Sequence, residues 1–396
     1  MSLRVLVAPS GFKNSLDVWA VTEAIATGIQ RGMPDARVLK APMVDGGEGF
    51  VRALVGATGG TIRRAVVTGP IGLPVDSFYG FLGGSGPKTA VIEIAAAAGL
   101  SLVPVSHRDP TRTTSFGVGE LIHEALDNGA ERILIGCGDS GTNDGGAGMA
   151  QALGVGLLDC DDNPIGFGGA ELSRISRVDL SRRDPRLNHV GIDAAVSWQN
   201  VLLGERGVAR LFGPQKGATP EQVLVLEHAL GNYAYRVLAA TGCAISTAPG
   251  AGASGGLGAG ILALLGGRLH PRYQVIMPFL KFDELLIEAD LVVTAEGALD
   301  GLTPIGKIPA EVARRAKAHG LPVVALAGTI GKGCAENFNH GIDAFAGIIK
   351  RPCSLDESIR DARRLLMHAA EDAVRMIGVG LVLGLKKSAQ PRASRG

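Results

Sequence analysis

Short apolar runs alternate with helical patterns at both ends of the chain. Near the amino terminus, Leu3 to Ala8 and residues 37–41 predict buried parallel strands, and Val18 to Arg31 has helical spacing. After residue 285 the same alternation returns. It predicts strands at 290–294, 322–327 and 344–349 and helices at 309–319 and 356–377. An irregular basic tail is expected from Lys386 to Gly396.

The middle of the chain has a different pattern. Residues 61–95 contain runs with strand-like alternation, which is typical of antiparallel pairing. Helices are predicted at 118–129 and 220–241. We therefore expect an α/β protein in which a doubly wound domain, residues 1–66 and 285–396, is built from both chain ends. A mixed α/β domain, residues 67–284, is inserted into it.

One stretch of this middle region has the composition of an anion site. Ile133 to Ile135 predicts a strand, a polar glycine loop follows, and residues 147–153 predict the start of a helix. Backbone N–H groups of such a loop and the positive end of a helix attract anions, and glycine permits close approach. An ordinary strand–helix loop is the alternative. The crowding of Asp139, Ser140, Asn143 and Asp144 into six residues favours a functional loop.

Three further motifs have structural explanations as well as functional ones. The pattern D-G-G-x-G occurs at 45–49 and at 144–148, where helix caps and tight turns explain it equally well. Residues 250–255 match G-x-G-x-x-G but lack the downstream acid of a dinucleotide site. Residues 301–308 resemble a P-loop that ends in Ile308, where a hydroxyl is required. Lys307 of that loop is either an anion-binding residue or a solvated surface lysine.

Composition excludes several classes of function. The net charge of +1 gives no electrostatic argument for binding nucleic acid or an anionic membrane. No apolar span of membrane length occurs, and the five cysteines are scattered without a C-x-x-C pair. These features predict a cytoplasmic protein that acts on a small molecule.

Together the motifs are similar to those of one enzyme family. The matching segments include Phe12-Lys13, residues 45–49, Ile92-Glu93, residues 142–149, residues 212–218, residues 249–252, Glu296-Gly297, Asp300 and Gly306-Lys307. The chain resembles the bacterial ATP-dependent glycerate kinases that make 2-phosphoglycerate, over nearly its full length. The resemblance implies a flavodoxin-like α/β domain with an inserted mixed α/β domain, an active site in the cleft between them, and ATP with Mg²⁺ as co-substrate and cofactor.

The resemblance and the motifs also assign site residues. The expected catalytic residues are Asp144, Asp300 and Lys13, with Asp144 also the expected metal ligand; which carboxylate is base and which binds metal stays open. The acceptor side is expected to contain Asp45, Glu48, Lys216, Lys307, Ser10 and Ser197. The nucleotide is expected at Ser140, Asn143, Gly145, Gly146, Gly252 and Gly255. Lys13 and Asp45 are expected to share one cleft with Asp144.

Departures from the family pattern cluster in the same loops. Ser10 and Ser197 stand where the family has acids, and Ala298 stands where it has an arginine that would pair with a carboxylate. These changes predict poor use of glycerate and preference for a larger or less acidic acceptor. Two alternatives stay open: a catalytically weakened homologue that binds a metabolite, and a different enzyme on the same fold, such as a lyase. Homodimer formation is also left open.

Overall fold

The computed structural model describes residues 2–13 and 15–389, with side chains as far as Leu383. Thirteen strands occur in these residues: β1 Arg4–Val7, β2 Arg37–Lys40, β3 Thr61–Thr68, β4 Pro74–Phe81, β5 Thr89–Glu93, β6 Arg132–Gly136, β7 Gly156–Leu158, β8 Arg177–Asp179, β9 Gly191–Val196, β10 Arg268–Pro271, β11 Leu291–Leu299, β12 Val323–Ile330 and β13 Ala344–Gly347.

Twelve α-helices lie in the same described part of the chain: α1 Val18–Gly32, α2 Phe50–Thr58, α3 Ala95–Ala98, α4 Phe116–Asp127, α5 Ala147–Ala152, α6 Val208–Phe212, α7 Pro220–Thr241, α8 Ala253–Ala263, α9 Arg272–Phe279, α10 Phe282–Glu288, α11 Ile308–Ala318 and α12 Leu355–Ala389. The helices predicted in each half of the chain are present, so the α/β prediction is confirmed. None of the described helices combines the length and apolar character of a membrane span. All five cysteines are free thiols.

The first unit runs from the amino terminus to Val44 and from Lys281 onward. Its sheet has the order β13-β12-β11-β1-β2, and every pair is parallel. Renumbered within the unit this is the order 2-1-3-4-5, which is that of flavodoxin-like sheets. The three central strands β1, β11 and β12 are largely apolar because helices cover both faces of such a sheet.

Helices α1 and α12 pack against each other in this unit. Buried Ile25 and Ile29 of α1 belong to the same core cluster as Leu366 and Ala370 of α12. A Cβ on Gly28 would lie 2.1 Å from the carbonyl oxygen of Met367, so the two backbones approach too closely for any side chain there.

The second unit comprises residues Asp45–Leu280. Its six-stranded sheet has the order β10-β9-β6-β5-β4-β3, in which β5, β6, β9 and β10 run parallel and β3 and β4 are antiparallel additions. Strands β7 and β8 form a separate antiparallel pair. The antiparallel character predicted for residues 61–95 is therefore present in β3 and β4.

Three predicted boundaries differ from the structure. The unit boundary falls after Val44 rather than after residue 66, because α2 packs on β3, β4 and β5. The helix after the central loop ends at Ala152 and is only six residues long. The last helix continues past residue 377 to Ala389, where an irregular tail was expected from Lys386. Residues 390–396 of that tail lie outside the described part of the chain.

Candidate active site

Four parallel strands of the second unit end at the same edge of the six-stranded sheet. Strands β5, β6, β9 and β10 pair in parallel, so the loops that follow them leave from neighbouring positions. In open α/β sheets this carboxyl edge is the usual place for a ligand. Most of the predicted site residues of this unit lie in or against these loops.

The central loop, residues 137–146, follows β6 and depends on two glycines. Gly145 and Gly146 have φ values of +64° and +77°, which side-chain-bearing residues rarely adopt. A Cβ on Gly145 would also lie 2.7 Å from the ring of Tyr233, whose hydroxyl donates to the Gly145 carbonyl at 3.0 Å. The loop is thus fixed by packing from α7. The helix that follows it has only six residues, so a ligand at this place would meet donors of the loop more than those of a helix end.

Lys216 holds the central loop through three hydrogen bonds. Its side chain is 3% exposed, and its ammonium group donates to Ser140 Oγ at 3.0 Å, to the Thr142 carbonyl at 2.6 Å and to Asn143 Oδ1 at 3.0 Å. A lysine has three N–H donors, and each has an acceptor here. Burial lowers the pKa of Lys216 to about 7, and the charge of Asp144 acts in the opposite direction. The lysine therefore holds three loop residues in one arrangement.

The carboxylate of Asp144 accepts four hydrogen bonds from neighbouring residues. It is 1% exposed, and its Oδ2 accepts from Ser115 N and Ser115 Oγ, both at 2.8 Å, and from Gly148 N at 3.2 Å. Its Oδ1 accepts from Gly146 N at 3.2 Å. Burial raises the pKa of Asp144, while these hydrogen bonds act to lower it. Because these four donors come from the residue before α4, from the end of the loop and from the start of α5, the carboxylate holds the loop in position.

Buried polar atoms without partners lie in the same region. Thr142 Oγ1, Asn143 Nδ2 and Ser254 Oγ are buried and make no hydrogen bond. The loop of Ser254 is in contact with the central loop, because Gly145 N donates to the Gly255 carbonyl at 3.0 Å. Buried polar groups of this kind usually have a partner. Three of them on two contacting loops indicate a place for a polar ligand.

The backbone of this second loop is unusual. Ser254, Gly255 and Gly256 all have left-handed φ values, of 52°, 72° and 89°. A Cβ on Gly255 would lie 1.8 Å from the Thr142 carbonyl oxygen. Residues 250–255 therefore serve close packing on the central loop. This agrees with rejecting a dinucleotide fingerprint there.

The first D-G-G-x-G loop, residues 45–49, also contacts the central loop. Glu48 N donates to Asp139 Oδ2 at 3.2 Å, and a Cβ on Gly138 would lie 2.6 Å from Gly47. The structure thus brings the two junctions to one edge of one sheet. Asp139 has a left-handed φ of 52° and is half-buried, whereas Asp144 is 1% exposed.

Arg272 is a site residue that sequence reasoning missed. It follows β10 directly, and its Nη1 donates to Asp45 Oδ2 at 3.0 Å. Its side chain is 16% exposed and stacks on the ring of Tyr273. The strand before it, Arg268–Pro271, has only four residues and is too short and too polar to be recognised from its sequence pattern. The end of that strand, where Arg272 lies, was therefore not predicted.

Glu93 was named only within a motif, and the structure gives it a position. It ends β5, is 3% exposed, and accepts from Val51 N at 2.9 Å and from Gly49 N at 3.4 Å. Burial raises the pKa of Glu93 to about 7, against the effect of these two hydrogen bonds. It fixes the start of α2, directly after the 45–49 loop.

Ser197 lies in the loop that follows β9. It is half-buried, and its carbonyl accepts from Asn200 N at 3.1 Å. Gly252 N donates to the Asn200 carbonyl at 3.1 Å, so this loop packs on the residues before Ser254. Trp198, next in sequence, is 40% exposed.

The remaining predicted residues belong to the first unit. Lys307 Nζ lies 3.4 Å from Asp300 Oδ1 and 3.7 Å from Glu296 Oε2. Ser10 is buried, and its hydroxyl donates to the Ala295 carbonyl at 3.0 Å. Lys13 is an exposed residue of the turn that follows. Asp300 and Lys307 thus form one charged group after β11.

The predicted residues therefore form two groups, each within its own unit. The second unit brings together Asp45, Glu48, Ser140, Asn143, Asp144, Gly145, Gly146, Ser197, Lys216, Gly252 and Gly255 in contacting loops. The first unit contains Ser10, Lys13, Asp300 and Lys307. Lys216 was assigned to the acceptor side, but its partners are the residues assigned to the nucleotide.

A comparison with protein-family models decides the family. The model of the glycerate kinase family matches residues 5–378. The chain belongs to the glycerate kinase family. It is therefore a kinase that transfers phosphate to a hydroxyl group.

Individual relatives agree with this membership. The chain is 45% identical to the glycerate kinase of Haemophilus influenzae, over 95% of this chain and 99% of the relative. It is 41% identical to the glycerate 2-kinase of Escherichia coli, over 96% and 99%. It also resembles a crystal structure of a protein assigned as glycerate kinase 2 from Salmonella typhimurium LT2, with a TM-score of 0.77, 40% identity, and coverage of 96% and 99%.

Proposed function

We propose that the protein phosphorylates the 2-hydroxyl of glycerate with ATP and Mg²⁺, yielding 2-phosphoglycerate. Glycerate kinase relatives at 41–45% identity over nearly their whole length support glycerate as the acceptor. They do not favour the alternative of a less acidic acceptor, which rested on Ser10, Ser197 and Ala298.

The observation that carries this proposal is the pair of loops around the three unpartnered polar atoms. Thr142 Oγ1, Asn143 Nδ2 and Ser254 Oγ are available to the oxygens of a triphosphate. The oxygens of a phosphate chain accept hydrogen bonds from hydroxyl and amide donors. We therefore assign the nucleotide phosphates to this place, with Gly145, Gly146, Gly252 and Gly255 as the backbone that permits close approach.

Lys216 and Asp144 act as positioning residues in this proposal. The ammonium of Lys216 holds Ser140, Thr142 and Asn143, and the carboxylate of Asp144 holds Ser115 and the turn at Gly146. Phosphoryl transfer depends on positioning and charge stabilisation more than on covalent chemistry. A loop fixed from both sides before the nucleotide arrives supplies this preorganisation.

Mg²⁺ fits this site through Asp139 better than through Asp144. Magnesium in kinases usually takes one or two carboxylates and otherwise phosphate oxygens and water. Within the residues that the structure describes, no group of three or more His, Cys, Asp or Glu side chains forms a metal cage. Asp144 is enclosed by its four donors, whereas half-buried Asp139 would hold the ion, which supplies positive charge beside the phosphates.

The acceptor carboxylate requires a cation, and Arg272 supports this role. A guanidinium matches a carboxylate with two parallel N–H donors, and Asp45 fixes the orientation of Arg272 at 3.0 Å. The roles of Glu48, Ser197, Lys13, Asp300 and Lys307 stay predictions. Of the first-unit residues, Asp300 beside Lys307 has the geometry of a carboxylate held by a cation.

The test is a steady-state assay with ATP, Mg²⁺ and D- or L-glycerate, with the product identified by ³¹P NMR. We expect kcat/KM for one glycerate enantiomer of about 10⁴ M⁻¹s⁻¹ or more, in the range of efficient enzymes. The product should be the 2-phosphate ester. Exclusive 3-phosphate formation, or faster turnover of a neutral polyol than of either glycerate, would contradict the proposal.

A further inference from the structure

Strand β9 contains a buried carboxylate, Asp193, three residues before the strand ends. Asp193 is 2% exposed, and its Oδ1 accepts from His270 Nε2 at 2.7 Å and from Arg268 Nε at 3.1 Å. Its Oδ2 accepts from Arg132 Nε at 2.9 Å and from Arg132 Nη2 at 2.7 Å. Burial acts to raise the pKa of Asp193, but these hydrogen bonds outweigh it and hold the pKa below its usual value.

Two of these three partners belong to strand β10. Arg268 and His270 are two positions apart, so their side chains lie on the same face of the strand and both reach Asp193. Leu269, between them, packs against the hydrophobic core from the opposite face. Arg132 lies on β6, on the other side of β9. One carboxylate therefore ties β10 to the interior of the sheet.

Strand β10 has few other attachments. It is at the edge of the sheet and, in the described part of the chain, pairs only with β9. It has four residues, and the last of them, Pro271, has no N–H to donate. Helix α9 begins at the next residue without a side-chain cap. The ion pairs with Asp193 are therefore a large part of what keeps β10 in place.

Arg272 follows β10 directly, so the strand places its backbone. Asp193 pairs in register with Arg268, about 13 Å along the strand from Arg272. Asp45 orients the Arg272 guanidinium at 3.0 Å, but the point from which that side chain starts is set by β10. A shift of about 1 Å in a binding group can cost about a hundredfold in catalysis.

We propose that Asp193 is a positioning residue of the kinase: by anchoring β10 it fixes Arg272, and it thereby sets the affinity for the carboxylate of the acceptor. The role rests on the proposed contact between Arg272 and glycerate. Asp193 itself takes no part in the chemistry, because its carboxylate stays paired with Arg132, Arg268 and His270 throughout.

The first test compares variants in steady-state kinetics with ATP, Mg²⁺ and glycerate. Asp193→Asn should raise KM for glycerate about tenfold and change KM for ATP less than about twofold, since a misplaced group weakens the contacts that it makes itself. Arg268→Gln/His270→Gln cuts both links to β10 and leaves Asp193 paired with Arg132. It should raise KM for glycerate to the same extent, and it serves as the test if Asp193→Asn does not fold.

Arg132→Gln is the matched control, because it removes an arginine from the same carboxylate on the β6 side. It should lower the unfolding free energy and leave KM for glycerate unchanged, whereas a purely structural role of Asp193 would make the three variants alike. In an Arg272→Gln background, Asp193→Asn should have no further effect on KM for glycerate, because the group that it positions is absent.

Hydrogen exchange tests the anchoring without turnover. The amides of Leu269, His270 and Arg272 should exchange at least tenfold faster in Asp193→Asn and in Arg268→Gln/His270→Gln, but not in Arg132→Gln.

Three results would overturn the proposal: unchanged exchange at β10 in Asp193→Asn, equal increases in KM for ATP and glycerate, and additive effects of Asp193→Asn and Arg272→Gln. If Arg272→Gln alone leaves KM for glycerate unchanged, the proposed acceptor role of Arg272 is wrong, while the exchange rates still decide whether Asp193 holds β10.

Discussion

Glu93 allows a quantitative test of how the second unit is held together. Its carboxylate is 3% exposed and caps the first residues of α2 through Gly49 N and Val51 N. Burial raises its pKa from 4.5 to about 7. In the unfolded chain the group loses its proton near 4.5, while the folded protein keeps the proton until about pH 7. The folded state is therefore progressively destabilised as pH rises from about 4.5 to 7.

The substitution Glu93→Gln removes this titration and keeps the shape of the side chain. A shift of one pKa unit corresponds to about 1.4 kcal/mol, so at pH 8 the charged form costs about 3 kcal/mol of unfolding free energy. At pH 5 most of this cost is absent. We expect the stability of Glu93→Gln relative to the unchanged protein to be about 2.5 kcal/mol greater at pH 8 than at pH 5.

The measurement is urea unfolding at the two pH values, followed by tryptophan fluorescence. The chain has two tryptophans, Trp19 in the first unit and Trp198 in the second, so a Trp19→Phe background makes the signal specific for the second unit. Exposed Glu131 provides the control Glu131→Gln, which should show no such pH-dependent gain. An equal Glu93→Gln effect at pH 5 and pH 8 would refute the reasoning, because it would place the ionisation of Glu93 outside this interval.

Three further predictions concern the central loop and the acceptor. Asp144→Asn should place an amide N–H against the Gly146 N–H, which lowers thermal stability and raises KM for ATP. Asp139→Asn should leave Tm unchanged and raise the Mg²⁺ concentration for half-maximal activity at least tenfold. If the two variants show the opposite effects, Asp144 is the metal ligand. Lys216→Met should lower kcat/KM for ATP at least a hundredfold, since three acceptors lose their donor, and an unchanged value would remove Lys216 from the site. Arg272→Gln should raise KM for glycerate about a hundredfold with little change in KM for ATP, because a charged hydrogen-bond pair is lost; equal changes in both would indicate a general loss of structure.

The sequence predicted the fold where one physical signal was sufficient. Apolar runs identified β1, β11 and β12, and helix α7 from Pro220 to Thr241 was predicted with its true bounds. That helix has a full capping box at Thr219 and Gln222, a proline in its first turn and glycine after its end. Strand β10 gave no such signal, so Arg272, which follows it directly, was not among the predicted site residues. Short edge strands are specified by their neighbours more than by their own residues.

The roles of the candidate site residues could not be predicted from sequence for a different physical reason. Motif and spacing selected Asp144 and Lys216 as candidate site residues, and both lie in contacting loops of the second unit, but a motif carries no information on which atoms already have partners. An aspartate in a glycine loop is equally compatible with a metal ligand and with a backbone anchor. The choice depends on Ser115, which is 29 positions away in sequence and donates to Asp144 twice. A buried carboxylate is stabilised by nearby donors or cations, so its role is decided by residues brought to it by folding. For this reason half-buried Asp139, one residue before Ser140, is the better carboxylate to test for a direct role.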